Sequence, residues 1–284
     1  MKKPFLTIGM PTFDDFHGIY FSVQSIRMHH PEILDQIEII IIDNNPESAH
    51  GKETKHFSNC SNLIKYVPFV ESIGPANSKN QVFEEASGEY VMCMDGHILL
   101  ESGSIKKLID FYKKNPQSAD LYQGPLVYDD LQNISTHFDP VWRGQMWGIW
   151  ATDERGKDPN GDPFEISMQG MGLFSCHKQA WPEFNQHLRG FGGEEGYMHE
   201  KFKKLGRKCW CLPFLRWVHR FGRPDGVKYP LTMENKLRNY FIAFFELGLD
   251  IDPIIDHFAE FKTRDQLNHM ADTVKEEMKN LGYF

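Results

Sequence analysis

Apolar and polar positions along the first hundred residues follow two alternating patterns. Short, nearly unbroken apolar runs, "FLTIGM" (5–10), "IEIIIID" (37–43), "LIKYVPF" (63–69) and "EYVMCMD" (89–95), are separated by more polar stretches. These runs are rich in Ile, Val and Met and are bounded by Pro, Gly, Asn or Asp, so each predicts a strand buried on both faces. The stretches between them predict helices, one around 17–29 and one over "ANSKNQVFEEA" (76–86). Strands alternating with helices imply right-handed βαβ crossovers, and so an α/β fold with a mostly parallel central sheet flanked by helices. In such sheets ligands bind beyond the carboxyl ends of the strands.

The pattern lapses between 129 and 167. Within that stretch "HFDPVWRGQMWGIWATDERGKDPNGDPFE" carries Trp142, Trp147 and Trp150 among glycines and prolines with little periodicity. It predicts a long irregular loop, and a loop of that length inside a compact domain is usually functional. Gly144, Gly148 and Gly156 offer hinge freedom there, while the tryptophans suit either core packing or stacking on a sugar face, with the balance towards an acceptor site. Regular structure resumes at "MQGMGLFSCHKQAW". "GGEEGYMHEKFKKLG" predicts a helix with Glu194 and Glu195 at its positive end, and "CWCLPF" (209–214) predicts a further strand. After about Asp225 no strand signal remains, and "ENKLRNYFIAFFELG" and "TRDQLNHMADTVKEEMKNLG" predict helices. The expected organisation is a sheet-bearing domain over 1–225 and a C-terminal helical extension over 226–284.

Composition narrows the class without naming it. The 284 residues are 40% hydrophobic and 25% charged, as in ordinary globular proteins. No run approaches the roughly 20 apolar residues of a membrane helix, so no membrane span is expected. The opening "MKKPFLTIGMPTF" meets Pro11 and Asp14 too soon for a signal peptide, and reads as a first strand. Five scattered cysteines lack paired zinc spacing, and Cys209 and Cys211 alternate along a strand, so reduced thiols in a cytoplasmic protein are expected. A net charge of −8 disfavours nucleic acid for the molecule as a whole. The one basic run, "KFKKLGRK" (201–208), reads more simply as a solvated helix end than as a nucleic-acid groove.

Candidate chemistry sits where strands end. The run 89–95 stops on Asp95, Gly96 and His97, an acid and an imidazole flanking a residue that allows close backbone approach. Such a turn can hold a divalent cation bridging two phosphates. His219, in "RWVHRFGRP" just after a strand end, is the best third ligand among thirteen histidines. Oxygen ligands suit Mg²⁺ or Mn²⁺, and the imidazoles shift the preference towards Mn²⁺. Taken alone, an acid and a histidine two residues apart are as well explained by a satisfied surface turn. Asp43 ends the second strand at the same edge, though "DNNPES" is also a good turn.

Together these segments carry a resemblance. "LTIGMPTFDD", "IEIIIIDNNPES", "GPANSKNQVFEEASGEYVMCMDGH" and "GMGLFSCHKQAW" followed by "FNQHLRGFGGEEGYMHEKFKKLGRKCWCLPFLRWVHRFGRP" fall in the order seen in family-two-like GT-A glycosyltransferases. The acid–glycine–histidine turn, the "GGE" helix start and the late "VHRF" look most like the catalytic domain of polypeptide N-acetylgalactosaminyltransferases. The resemblance spans roughly residues 5–223 and implies a Rossmann-like GT-A sheet that binds a nucleoside-diphosphate sugar, with uridine the expected base. It places Thr12 and Asp14 beside the base and ribose, Asp43 on the nucleoside, and Lys79 and Asn80 near the base and diphosphate. It makes Asp95, His97 and His219 the Mn²⁺ ligands, with Mg²⁺ an alternative. It lays Gly170 and Gly172 under the donor sugar and sets Glu194 on sugar hydroxyls, with Glu195 beside it as a second candidate base. Arg220 and Arg223 would neutralise the leaving diphosphate, and Trp142, Trp147 and Trp150 would face the acceptor.

Two departures bear on the acceptor. Phe191 and Gly192 stand where the family has a tryptophan before "GGE", and neither a lectin domain nor an anchor is expected. The acceptor hydroxyl therefore need not be on a protein; glycans, cell-wall polymers and modified DNA bases of bacteria or phages remain open. Retention of configuration is the expected course. A nucleotidyltransferase would carry a glycine-rich basic loop after the first strand, where this chain has "PTFDDFHG". A non-enzymatic sugar- or nucleic-acid-binding module on the same fold is the other reading, and it would have no need of an intact metal set.

Overall fold

The computed structural model describes residues 3–222, 226 and 228–284, without the side chain of Glu195. In chain order the first half comprises β1 (Leu6–Thr12), α1 (Phe16–His29), β2 (Ile37–Asp43), α2 (Ala49–Ser58), β3 (Ile64–Pro68), α3 (Pro75–Glu85), β4 (Tyr90–Met94), β5 (Ile98–Leu100), α4 (Ser104–Lys114) and β6 (Leu121–Gln123). Four short strands follow, β7 (Leu126–Val127), β8 (Ile134–Ser135), β9 (His137–Arg143) and β10 (Met146–Ala151). The remainder is β11 (Phe164–Glu165), β12 (Leu173–His177), α5 (Glu194–Lys204), β13 (Cys209–Cys211), β14 (Trp217–His219), α6 (Met233–Leu247), α7 (Asp252–Phe258) and α8 (Arg264–Asn280).

Strands β3, β2, β1, β4, β12, β6, β13 and β11 lie side by side in that order among the described residues. The β3–β2–β1–β4 half is parallel throughout, as the sequence predicts, whereas β12 runs antiparallel to both β4 and β6. The continuous isoleucine run of β2 is explained by its position, because both of its faces are covered. Ile39 and Ile41 face the cluster built with α1 and α4. Ile40 and Ile42 face the cluster built with α3, α5 and the C-terminal helices.

Three sequence expectations change. Helices α2 and α4 stand where no element was expected. The stretch 129–167 is not an irregular loop: β9 and β10 pair antiparallel as a hairpin, with a bulge between Trp147 and Ile149. The C-terminal helices do not stand apart either. Leu237, Phe241 and Phe258 of α6 and α7 belong to the same hydrophobic cluster as Phe174 of β12 and Tyr197 and Phe202 of α5. No helix among the described residues is long and apolar enough to cross a membrane.

Candidate active site

A cavity of about 880 Å³ opens at the carboxyl edge of β1 and β4. Its volume is within the usual range for small-molecule sites. Asp95 follows the last residue of β4, and its backbone N–H donates to the Gly172 carbonyl at 2.8 Å. Strand β14 pairs antiparallel with β5 in a register that sets His219 opposite Ile98, next to His97. Two distant segments are thereby forced into contact. His97 Nε2 and His219 Nε2 lie 3.2 Å apart, and His219 Nε2 is 3.4 Å from Asp95 Oδ2.

These donor atoms converge within 4.8 Å of one another. His97 Nδ1 faces Asp15 Oδ2 at 3.0 Å, which fixes the ring and leaves Nε2 turned to the cluster. A carboxylate behind a histidine is the arrangement that orients imidazole ligands and raises their basicity. The set fits a divalent cation of intermediate softness. Burial by itself would raise the Asp95 carboxyl, but the His219 hydrogen bond and the charges of Lys79 and His97 outweigh it and hold Asp95 at about 2. The group that would face a cation is therefore ionised at neutral pH.

Asp15 was not singled out from the sequence, although it organises this corner. Burial opposes its charge; the His97 hydrogen bond and charge, the Gly18 amide and Arg220 together bring the carboxyl well below the ordinary range. Its Oδ1 accepts from the Gly18 N–H at 3.1 Å, capping α1, and from Arg220 Nη2 at 3.0 Å. The helix comes this close because residue 18 is glycine. A Cβ there would lie 2.6 Å from the Gly96 carbonyl oxygen and 2.9 Å from the His97 Cβ. The sequence signal was the tandem acid after β1, read on its first member. Asp14 instead takes a left-handed backbone (φ 53°), and its carbonyl accepts from His50.

The other expected residues fall into two groups. Thr12, Gly170, Gly172 and Trp150 line the cavity, with Asp95, His97 and His219. Gly172 lies so close to Asp95 Oδ2 and the Trp217 ring that an added Cβ would sit about 3.1–3.3 Å from both. Lys79 is buried, and its charge acts on Asp95. Arg220 reaches the same corner through Asp15.

Five residues are placed elsewhere. Asn80 faces the 181–184 segment: its Oδ1 accepts from Trp181 Nε1 and the Phe184 N–H, and its Nδ2 donates to the Phe184 carbonyl. Asp43 is fully buried, with Oδ1 accepting from the Asn45 N–H at 2.9 Å and Oδ2 from the Tyr66 hydroxyl at 2.8 Å; its neighbour Asn44 lines the cavity instead. Trp142 stacks on Trp147 at 5.9 Å, and the pair packs on Tyr240 and Phe244 of α6. Glu194 is buried at the start of α5. The side chain of Glu195 and the whole of Arg223 lie outside the described residues.

The profile of glycosyl transferase family 2 matches residues 7–181, well over half of the chain and including β1, β4 and the Asp95–His97 turn. The chain belongs to glycosyltransferase family 2. A 90-residue stretch is 31% identical to the poly-β-1,6-N-acetyl-D-glucosamine synthase of Staphylococcus epidermidis; it covers 32% of this chain and 22% of that protein's length. Among solved structures, GalNAc-T7 with UDP, GalNAc and Mn²⁺ superposes with a TM-score of 0.69 at 14% identity, covering 95% of this chain and 55% of that one. The mannosyltransferase PcManGT of Pyrobaculum calidifontis with GDP-Man and Mn²⁺ gives 0.59 at 13% identity, covering 99% and 77%. TarS 1–349 of S. aureus with UDP-GlcNAc gives 0.56 at 14% identity, covering 91% and 72%. At these identities the likeness is one of fold, and it is the GT-A architecture of a family 2 chain.

Proposed function

We propose that this family 2 chain transfers a sugar from a nucleoside-diphosphate sugar, uridine-linked, to a hydroxyl acceptor with the help of a divalent cation. The observation that carries the proposal is the convergence of Asp95 Oδ2, His97 Nε2 and His219 Nε2 at the carboxyl edge of the family 2 sheet. Asp95, His97 and His219 would hold the cation, with Mn²⁺ favoured over Mg²⁺ by the two imidazoles. The cation would supply charge stabilisation for the departing diphosphate.

The chain's own residues set the rest. Asp15 holds His97 in place and, through its ion pair, keeps Arg220 beside the site for the leaving group. Thr12 and Asn44 line the cavity's β1–β2 side, where the nucleoside would lie, and Gly170 and Gly172 make room for the donor sugar. The hairpin residues Met146, Ile149 and Trp150 form the wall on which an acceptor would rest, shielding the reacting bond from water. The stereochemical course we favour is retention. Asp15 and Asp95 are the carboxylates lining the cavity among the described residues, and both are engaged with the histidines. Neither is free to act as a base behind an acceptor hydroxyl.

A panel of UDP- and GDP-sugars assayed with Mn²⁺ and with EDTA tests this reading. Metal-dependent release of UDP from at least one UDP-sugar, even with water as acceptor, is expected. No turnover of any sugar nucleotide in Mn²⁺, or equal turnover in EDTA, would contradict it. Proton NMR of the first-formed product anomer decides retention against inversion.

A further inference from the structure

We propose that the hairpin wall recognises an acceptor bearing an anionic group, a phosphate or a carboxylate near the accepting hydroxyl, and that Arg143 binds that group. The inference rests on the transferase reading and names the acceptor class of the same cavity.

The charged side chains that line the cavity are few. Among the described residues Asp15 is engaged with His97 and Arg220, and Asp95 with His219. Arg143 also lines the cavity, and its side chain makes no hydrogen bond or ion pair with any described residue. It belongs to a different element from the cation-binding residues, closing β9 at the mouth of the hairpin. Its neighbours on that wall, Met146, Ile149, Trp150 and Phe138, are apolar. The guanidinium is exposed at the cavity mouth, so an anion can reach it directly, and an acceptor laid on the apolar wall would displace part of the water that screens it. Its planar fork matches carboxylate and phosphate oxygens in pairs, as a lysine ammonium would not.

The backbone that carries the arginine is held in position. Arg143 pairs with Met146 across the turn, and Gly144 takes a left-handed backbone (φ 56°) of the kind tight hairpin turns require. The tip is fastened from the other side by α7, where His257 Nε2 donates to the Gly144 carbonyl at 2.6 Å. Trp142, the residue before the arginine, stacks on the His257 ring at 5.5 Å. A backbone anchored at both neighbours adds little ordering cost of its own, so binding has to order only the arginine side chain. The apolar wall would take the face of a sugar or polyol, and Arg143 its charge.

The test uses the full chain with UDP and Mn²⁺ present and three probes: glucose, glucose 6-phosphate and glucuronate, each titrated calorimetrically. The parent protein is expected to bind at least one anionic probe about tenfold or more tightly than glucose, as for one charge-assisted contact. The tighter of the two distinguishes phosphate from carboxylate. Arg143→Gln should abolish the difference and Arg143→Lys should restore part of it, while UDP affinity stays at the parental value in both. Equal binding of the three probes by the parent would overturn the proposal, as would an anion preference that survives in Arg143→Gln. Loss of UDP affinity in Arg143→Gln would overturn it too, by placing the arginine in the donor site. Failure of the parent to bind UDP with Mn²⁺ would instead overturn the transferase reading, and this inference with it.

Discussion

The side chain that does most to organise the proposed metal corner is not one of its three converging groups. Asp15 accepts from a helix N-terminus, a histidine and an arginine at once. Replacing such a carboxylate behind a ligand histidine typically weakens metal affinity about 10–100-fold. Asp15→Asn keeps the size and the α1 cap, so we expect that loss for Mn²⁺ measured by calorimetry with UDP present, at unchanged circular dichroism. Unaltered Mn²⁺ affinity would reduce Asp15 to a helix cap. Asp43 poses the opposite case. Burial pushes its carboxyl up, more than the Asn45 and Tyr66 hydrogen bonds pull it down. A group whose folded value lies above its unfolded one favours the native state at low pH and loses that contribution as pH rises. Asn in its place can still accept from the Asn45 N–H and can donate to Tyr66. Asp43→Asn should therefore raise Tm at neutral pH, with the gain shrinking towards about pH 4, and should leave UDP affinity near the parental value. A large rise in donor KM would show that Asp43 reads the nucleoside directly. The Asp95–His97 pair was legible because it is contiguous and ends an unmistakable strand. Asp15 was not, because its partners His97 and Arg220 join it only through the fold.

At the scale of elements, legibility followed periodicity. Strand β2 lies where its isoleucine run predicts, over Ile37–Asp43. Helix α2, "AHGKETKHFS", is polar on average and buries only a narrow stripe that includes Gly51, Thr54 and Phe57, so it left no apolar rhythm to read. The β9–β10 hairpin was hidden for a different reason. Its bulge beside Gly148 breaks the two-residue alternation, and the helices that cover Trp142 and Trp147 lie about a hundred residues further on. Trp147 packs on Phe244 and comes so close to α5 that a Cβ on Gly196 would lie 2.4 Å from its ring. Trp150 instead packs edge-on against Phe138 at 4.4 Å and lines the cavity. Two substitutions should then separate. Trp147→Ala should cost stability, towards the lower end of the ~3–5 kcal/mol seen for large aromatic truncations because the ring is only partly buried, as read from urea unfolding. Trp150→Ala should lower acceptor-dependent turnover more than it lowers UDP affinity. The reverse pattern would exchange their roles.

Across the whole molecule, the sheet and the C-terminal helices share one interior. Phe184, Tyr197 and Phe202 are covered by residues of α6, α7 and α8, and Lys201 pairs with Glu246 across the α5–α6 contact at 2.7 Å. A chain ending at residue 225 should therefore expose that apolar face, and we expect it to aggregate or to bind a hydrophobic dye; a soluble, cooperatively folding fragment would restore the picture of a separable extension. The reason for this fusion is mechanical. The same helices brace α5 and the hairpin, and with them the cavity wall that the hairpin forms. The central proposal is that Asp95, His97 and His219 form one metal-dependent sugar-nucleotide site. The most direct measurement is calorimetric titration of UDP into the parent protein and into His219→Ala, each in Mn²⁺ and in EDTA. The parent should bind UDP in Mn²⁺ and lose at least about a hundredfold in affinity, some 2.7 kcal/mol, in EDTA. His219→Ala should bind weakly under both conditions while its fold is unchanged. Equal UDP affinity with and without metal, or a His219→Ala variant that binds like the parent, would contradict it.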